Sequence, residues 1–94
     1  MAHTLKPGSV VVSTAGRDSG KTFMVVRVLD DSFVYIADGT LRHLDKPKKK
    51  KVKHLAVTSH TLNGIGEKLI EGRKVFDAEI RSALKNVQEA DTHN

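Results

Sequence analysis

The segment from Val10 to Asp30, VVVSTAGRDSGKTFMVVRVLD, constrains the fold more than any other part of the chain. It reads as a strand, a glycine-rich basic loop and a second strand. It also nearly spells a nucleotide-binding phosphate loop, G-x-x-x-x-G-K-[ST]. Gly20-Lys21-Thr22 fits the end of that pattern, but Ala15 stands where its first glycine belongs. Such a loop must open a helix, because the free N–H groups of the helix N-terminus bind the phosphate. The next residues are instead Phe23-Met24-Val25-Val26-Arg27-Val28-Leu29, a run rich in β-branched side chains that reads as a strand. No later segment offers a hydrophobic strand ending in a magnesium-binding Asp. The segment is therefore read as a hairpin, with Gly16 and Gly20 supplying positive-φ turns or bulges and Arg17 and Lys21 at its tip.

Ninety-four residues allow one small domain with a thin core. The absence of cysteine excludes a disulfide scaffold and thiolate metal sites. The N-terminal stretch MAHTLKPGSV has no apolar run of the kind found in signal peptides, and no segment approaches a membrane span. A cytoplasmic protein without membrane contact is expected. The net charge is +5 and is unevenly spread. Residues 1–60 carry 11 Lys and Arg against 5 Asp, or +6, whereas residues 61–94 carry 5 against 6 Asp and Glu, or −1. The positive field belongs to the first part alone, which points to a polyanionic partner there.

Further along, Asp30-Asp31-Ser32 reads as a tight turn and Phe33–Ala37 as a third strand. Asp38-Gly39 is the signature of a two-residue hairpin turn, which predicts a fourth strand over Thr40–Leu44. A loop over Asp45–Lys51 and a fifth short strand over Val52–Val57 complete the β part. Five short strands joined by tight turns imply a small closed barrel of SH3-like form. From Thr61 the pattern changes to a helical period. Ile65 and Leu69 predict a short helix ended by Gly72. A second helix is predicted from Asp77 as N-cap, with Ile80, Ala83, Leu84 and Val87 on one face and Phe76 able to join it. The expected organisation is a barrel over residues 1–60 and a helical extension over residues 61–94 packed on it.

The strand–turn–strand with its Gly-Arg-Asp-x-Gly-Lys loop resembles the KOW motif, with Gly20 at the motif's central glycine. The wording STAGRDSGK…VVRVLDDSFVYIADG, over residues 7–57, resembles the KOW ribosomal proteins of the large subunit in archaea and eukaryotes. A second match lies further on, in the same order. PKKKKVKHL, from Pro47 to Leu55, resembles the lysine-rich stretch before the last barrel strand of that family. The resemblance implies an SH3-like barrel, RNA as partner, and a place in or beside the ribosome and translation. Ribosomal members usually continue into longer basic extensions, whereas this tail is slightly acidic, so a permanent ribosomal component and a dissociable factor both fit.

The expected RNA contacts are Arg17 and Lys21 at the hairpin tip, and Arg42, Lys46, Lys48, Lys49, Lys50, Lys51 and Lys53 in the basic stretch, with His54 beside them. Lysines neutralise phosphates and release counterions without reading sequence. Taken alone the run reads equally well as a solvated loop that limits aggregation, but beside the basic tip at Arg17 and Lys21 RNA contact is the favoured reading. Under the Asp38-Gly39 register, Tyr35 lies opposite Arg42 and Ile36 opposite Leu41. Tyr35 and Arg42 would then form either a base-stacking platform or a plain cross-strand pair. The same alternation puts Arg27 on the face of Phe23, Val25 and Leu29, and His43 on that of Ile36. The five histidines, His3, His43, His54, His60 and His93, show no metal-site spacing. No catalytic constellation stands out, since Asp30 and Asp31 are better explained by a turn. The chain is thus expected to be a non-enzymatic RNA-binding protein without cofactor, metal or small-molecule substrate. The competing reading is a KOW protein-interaction module of a translation or transcription factor.

Overall fold

The computed structural model describes residues 3–92; His93 lies outside them. Its strands are β1 (Ser9–Ser13), β2 (Thr22–Val28), β3 (Phe33–Ala37), β4 (Lys48–Lys51) and β5 (Leu55–Thr61), followed by helices α1 (Asn63–Ile70) and α2 (Asp77–Thr92). All neighbours in the sheet are antiparallel, in the order β4-β3-β2-β1-β5. The chain is mainly β with a helical tail, the small SH3-like architecture expected. The sheet is not closed, however: β4 and β5, its two edges, form no ladder with each other. They are joined through a single 3-10 turn, Val52–His54, whose Val52 packs against the inner core.

The continuous apolar runs of β1 and β2 have a simple cause. A strand covered on both faces needs apolar residues at successive positions, not alternate ones. One core, inside the curl of the sheet, contains Leu5, Val11, Phe23, Val25, Val34, Ile36 and Leu55. The other lies between the sheet and the helices, where Val10 and Met24 meet Ile80 and Leu84, flanked by Leu62, Ile65, Leu69, Val75 and Val87. The helical stripe is therefore packed on the sheet, but Phe76 is not part of it. It is 57% exposed, and Val75 takes that place.

Three expectations fail for identifiable reasons. The Asp38-Gly39 hairpin does not form. Asp38 Oδ1 accepts hydrogen bonds from the backbone N–H groups of Thr40, Leu41 and Arg42, at 3.0, 2.9 and 2.9 Å. An aspartate that captures these donors takes them from any ladder. Arg42 O in turn accepts from Asp38 N and Gly39 N, so residues 38–42 make a closed loop instead of a strand.

The partner of β3 is instead the lysine run. Ile36 pairs with Lys48 and Tyr35 with Lys49, which removes the Tyr35–Arg42 and Ile36–Leu41 registers. Lysine has a low strand propensity, but pairing and the burial of its aliphatic stem override it here: Lys50 is buried. The fifth strand correspondingly starts later, at Leu55, and runs to Thr61.

The third correction concerns Arg27. The β2–β3 register shifts between Val25 and Arg27, so Val26 is an extra residue on β2. A bulge of this kind reverses the alternation beyond it. Arg27 therefore pairs with Tyr35 and shares the outer face with Met24, not the inner face with Phe23 and Val25.

Candidate nucleic-acid interface

The β1–β2 loop is built by its two glycines. Gly16 and Gly20 have φ of +81° and +86°, values that side-chain-bearing residues rarely adopt. Gly20 N donates to Ser13 O at 2.7 Å, and Lys21 N donates to Asp18 O at 3.0 Å. Gly20-Lys21-Thr22 leads directly into β2, so the loop opens a strand and not a helix.

The curl of the loop turns Asp18 inward, leaving its side chain 6% exposed. Arg42 reaches it from the loop after β3, donating from Nε at 3.2 Å and from a terminal guanidinium nitrogen at 3.0 Å to Oδ2. Lys48 Nζ, from β4, donates to the same oxygen at 3.4 Å. Beside them Lys50 Nζ donates to Ala15 O at 2.9 Å. Burial alone would raise the Asp18 carboxyl; the hydrogen bonds and charges of Arg42 and Lys48 outweigh it and hold the group below its ordinary value. The glycine loop and the lysine strand, some thirty residues apart in sequence, are thereby tied into one unit.

This tie sorts the candidate residues. Arg42, Lys48 and Lys50 have their charged groups engaged within the chain. Arg17, Lys21, Lys46, Lys49, Lys51 and Lys53 are exposed, and none of these six forms an ion pair among the described residues. Lys49 and Lys51 project from the outer face of β4, an edge strand, where lysines also discourage edge-to-edge association. His54 is half-buried in the 3-10 turn, and its carbonyl accepts from Thr14 N. Tyr35 has Arg27 over its ring at 5.9 Å instead of Arg42. His43 is at the rim and not in the core: its side chain is 51% exposed and Nδ1 lies 3.2 Å from Asp77 Oδ2.

Helix α2 contributes side chains that the acidic tail did not advertise. Asp77, expected as an N-cap, is the first helical residue, and its Oδ1 accepts from Leu44 N at 2.8 Å, pinning the loop after β3. That N–H holds the carboxyl below its ordinary value, against burial and with help from His43. The N-terminal turn is closed by Glu79, which accepts from Phe76 N at 3.2 Å. Arg81 and Lys85, one helical turn apart, line a cleft with Lys21 and Thr22. Arg81 donates to Gly39 O. In sequence they show only as two cations four positions apart, each directly after a residue of the apolar stripe, Ile80 and Leu84.

No helix among the described residues is long and apolar enough to cross a membrane. No family model matches the chain. It is similar to the large ribosomal subunit protein eL14 of Desulfurococcus amylolyticus, with 33% identity over 55 residues, or 58% of this chain and 57% of that protein. The chain thus spans little more than half the length of this relative. The similarity supports a relationship to the ribosomal proteins of the large subunit, the group that the loop and lysine motifs resemble.

Proposed function

We propose that this chain is a cytoplasmic, non-enzymatic RNA-binding protein of the ribosome or of a factor associated with it. Structured or ribosomal RNA is its partner, held by the phosphate backbone. The observation that carries this reading is the division of labour around Asp18. One buried carboxylate and one carbonyl anchor Arg42, Lys48 and Lys50. The anchored strand and loop then present Arg17, Lys21, Lys46, Lys49, Lys51 and Lys53 on a fixed frame. A frame matters because ordering the loops that carry the cations would otherwise cost entropy on binding. Arg81 and Lys85 extend the positive surface beyond Lys21. Contacts of this type position RNA without specifying its sequence. His54 and Tyr35 lie beside this surface as secondary contacts.

In this reading the helical tail completes the fold by covering the outer face of the sheet. Exposed Ile70 and Phe76, at 68% and 57%, favour a second reading in which the tail also meets a protein, as in an interaction module of a translation or transcription factor. Crosslinking in cells, with sequencing of the attached RNA, separates the two. A single ribosomal RNA site is the expected result. Recovery of protein crosslinks with no RNA above background would overturn the RNA reading.

A further inference from the structure

At the end of the sheet away from the glycine loop, the β2–β3 turn and the start of the 3-10 turn enclose a shallow cleft of about 480 Å³, a volume within the range of small-ligand sites. Its surface is mainly apolar and is supplied by Phe33 and Val52, with Lys51 and Lys53 on either side of Val52. From this arrangement we infer that the cleft holds one unpaired nucleobase, stacked on Phe33, with the flanking phosphates on Lys51 and Lys53. This rests on the RNA reading above and adds to it a contact made to a base.

The walls are fixed before any ligand arrives. Asp30 Oδ1 accepts from Ser32 N and Phe33 N, both at 2.8 Å. Val52 N donates to Ser32 O at 2.8 Å, and the Val52 side chain rests on the inner core. Lys49 Nζ lies over the Phe33 ring, 4.5 Å from its centroid, so it covers one face of the ring and the base takes the other. An aromatic ring and an apolar floor accommodate the face of a planar base, a stacking contact that alanine substitution shows to contribute to affinity in single-strand binders. The rim discriminates by charge. Lys51 and Lys53 are exposed cations without an ion pair among the described residues. Asp31 is the one carboxylate in the lining and disfavours phosphate next to it. An apolar floor between two lysines matches a nucleotide, in which a π-face is joined to anionic groups.

The test titrates the full chain with a short single-stranded oligoribonucleotide and with an abasic oligomer of the same length and charge. The base-bearing oligomer should bind about tenfold more tightly. Phe33→Leu, which keeps an apolar side chain, should lose most of that preference while retaining the affinity for the abasic oligomer and its salt dependence. Equal affinity of the unsubstituted chain for both oligomers removes the base pocket and leaves the phosphate reading intact. Binding of neither overturns both. A Phe33→Leu chain that keeps the preference overturns the assignment to this cleft. Should that variant fail to fold, a nucleoside monophosphate titrated into the unsubstituted protein gives the same answer by NMR. Amide shifts confined to residues 31–33 and 51–53 support the site. Shifts elsewhere, or shifts at these amides only with an apolar peptide, refute it.

Discussion

Ile80→Ala should destabilise the protein by about 3–4 kcal/mol, within the span of about 2–5 kcal/mol for truncating a buried isoleucine. Ile80 has no exposed surface and sits with Leu84 against Val10 and Met24 of the sheet. Truncation removes apolar contact and leaves a cavity that a helix tied at both sides cannot easily close. Asp77 holds Leu44, and Arg81 donates to Gly39, so the helix has little freedom to slide inward. A domain of this size has a total stability on the order of 5–15 kcal/mol. Each kcal/mol corresponds to a fall of about 4–8 °C in Tm, so thermal unfolding monitored by circular dichroism is sufficient to see it. A loss under about 1 kcal/mol would mean that α2 is dispensable and that the sheet buries its outer face some other way.

Asp18→Asn should cost about 2–3 kcal/mol near neutral pH. The replacement keeps the size and one acceptor but leaves Arg42 and Lys48 facing each other uncompensated. Breaking a fully buried pair typically costs about 3–5 kcal/mol. The lower figure is expected because the two cations are 33% and 31% exposed, so water screens part of their repulsion. The substitution also has a signature in pH. A carboxyl whose pKa is lower in the folded than in the unfolded chain gives stability that is fully present above the unfolded value. That stability is lost as pH falls through the folded value. Asp18 is such a group, so the unsubstituted protein should lose stability below about pH 4, near the ordinary carboxylate range. The variant should show a shallower acid limb, with the remaining slope coming from Asp30, Asp77 and Glu79, which are lowered too. Urea unfolding across that range checks both statements. An unchanged acid limb would show that Asp18 carries no linkage.

Legibility in the sequence divides along physical lines. β1, β2 and β3 were legible because their apolar runs are bounded by glycine or aspartate turns, and the Ile80–Leu84 stripe because helical spacing survives any tertiary context. The lysine strand was not legible, since nothing local to Lys48–Lys51 favours a strand; pairing with Phe33–Ile36 decides it. Asp38-Gly39 misled because the same two residues that favour a hairpin turn also allow the aspartate to trap three backbone donors. The face of Arg27 was hidden by one extra residue, Val26, since a bulge leaves no mark in an apolar run. At the candidate site, the basic residues were visible as charge. Their sorting was not, because Asp18 and Arg42 lie 24 positions apart and meet only once the loop has curled. Arg81 and Lys85 were hidden for the opposite reason: averaging charge over residues 61–94 conceals two cations on one helical turn.

The central claim is that six exposed cations, set on a frame tied by Asp18, hold RNA by its phosphates. It is tested most directly by measuring the affinity for a structured ribosomal RNA fragment as a function of salt. Neutralising six phosphates predicts a plot of log affinity against log salt with a slope of about −4 to −5. A slope near zero, or no binding at low salt, would contradict the claim.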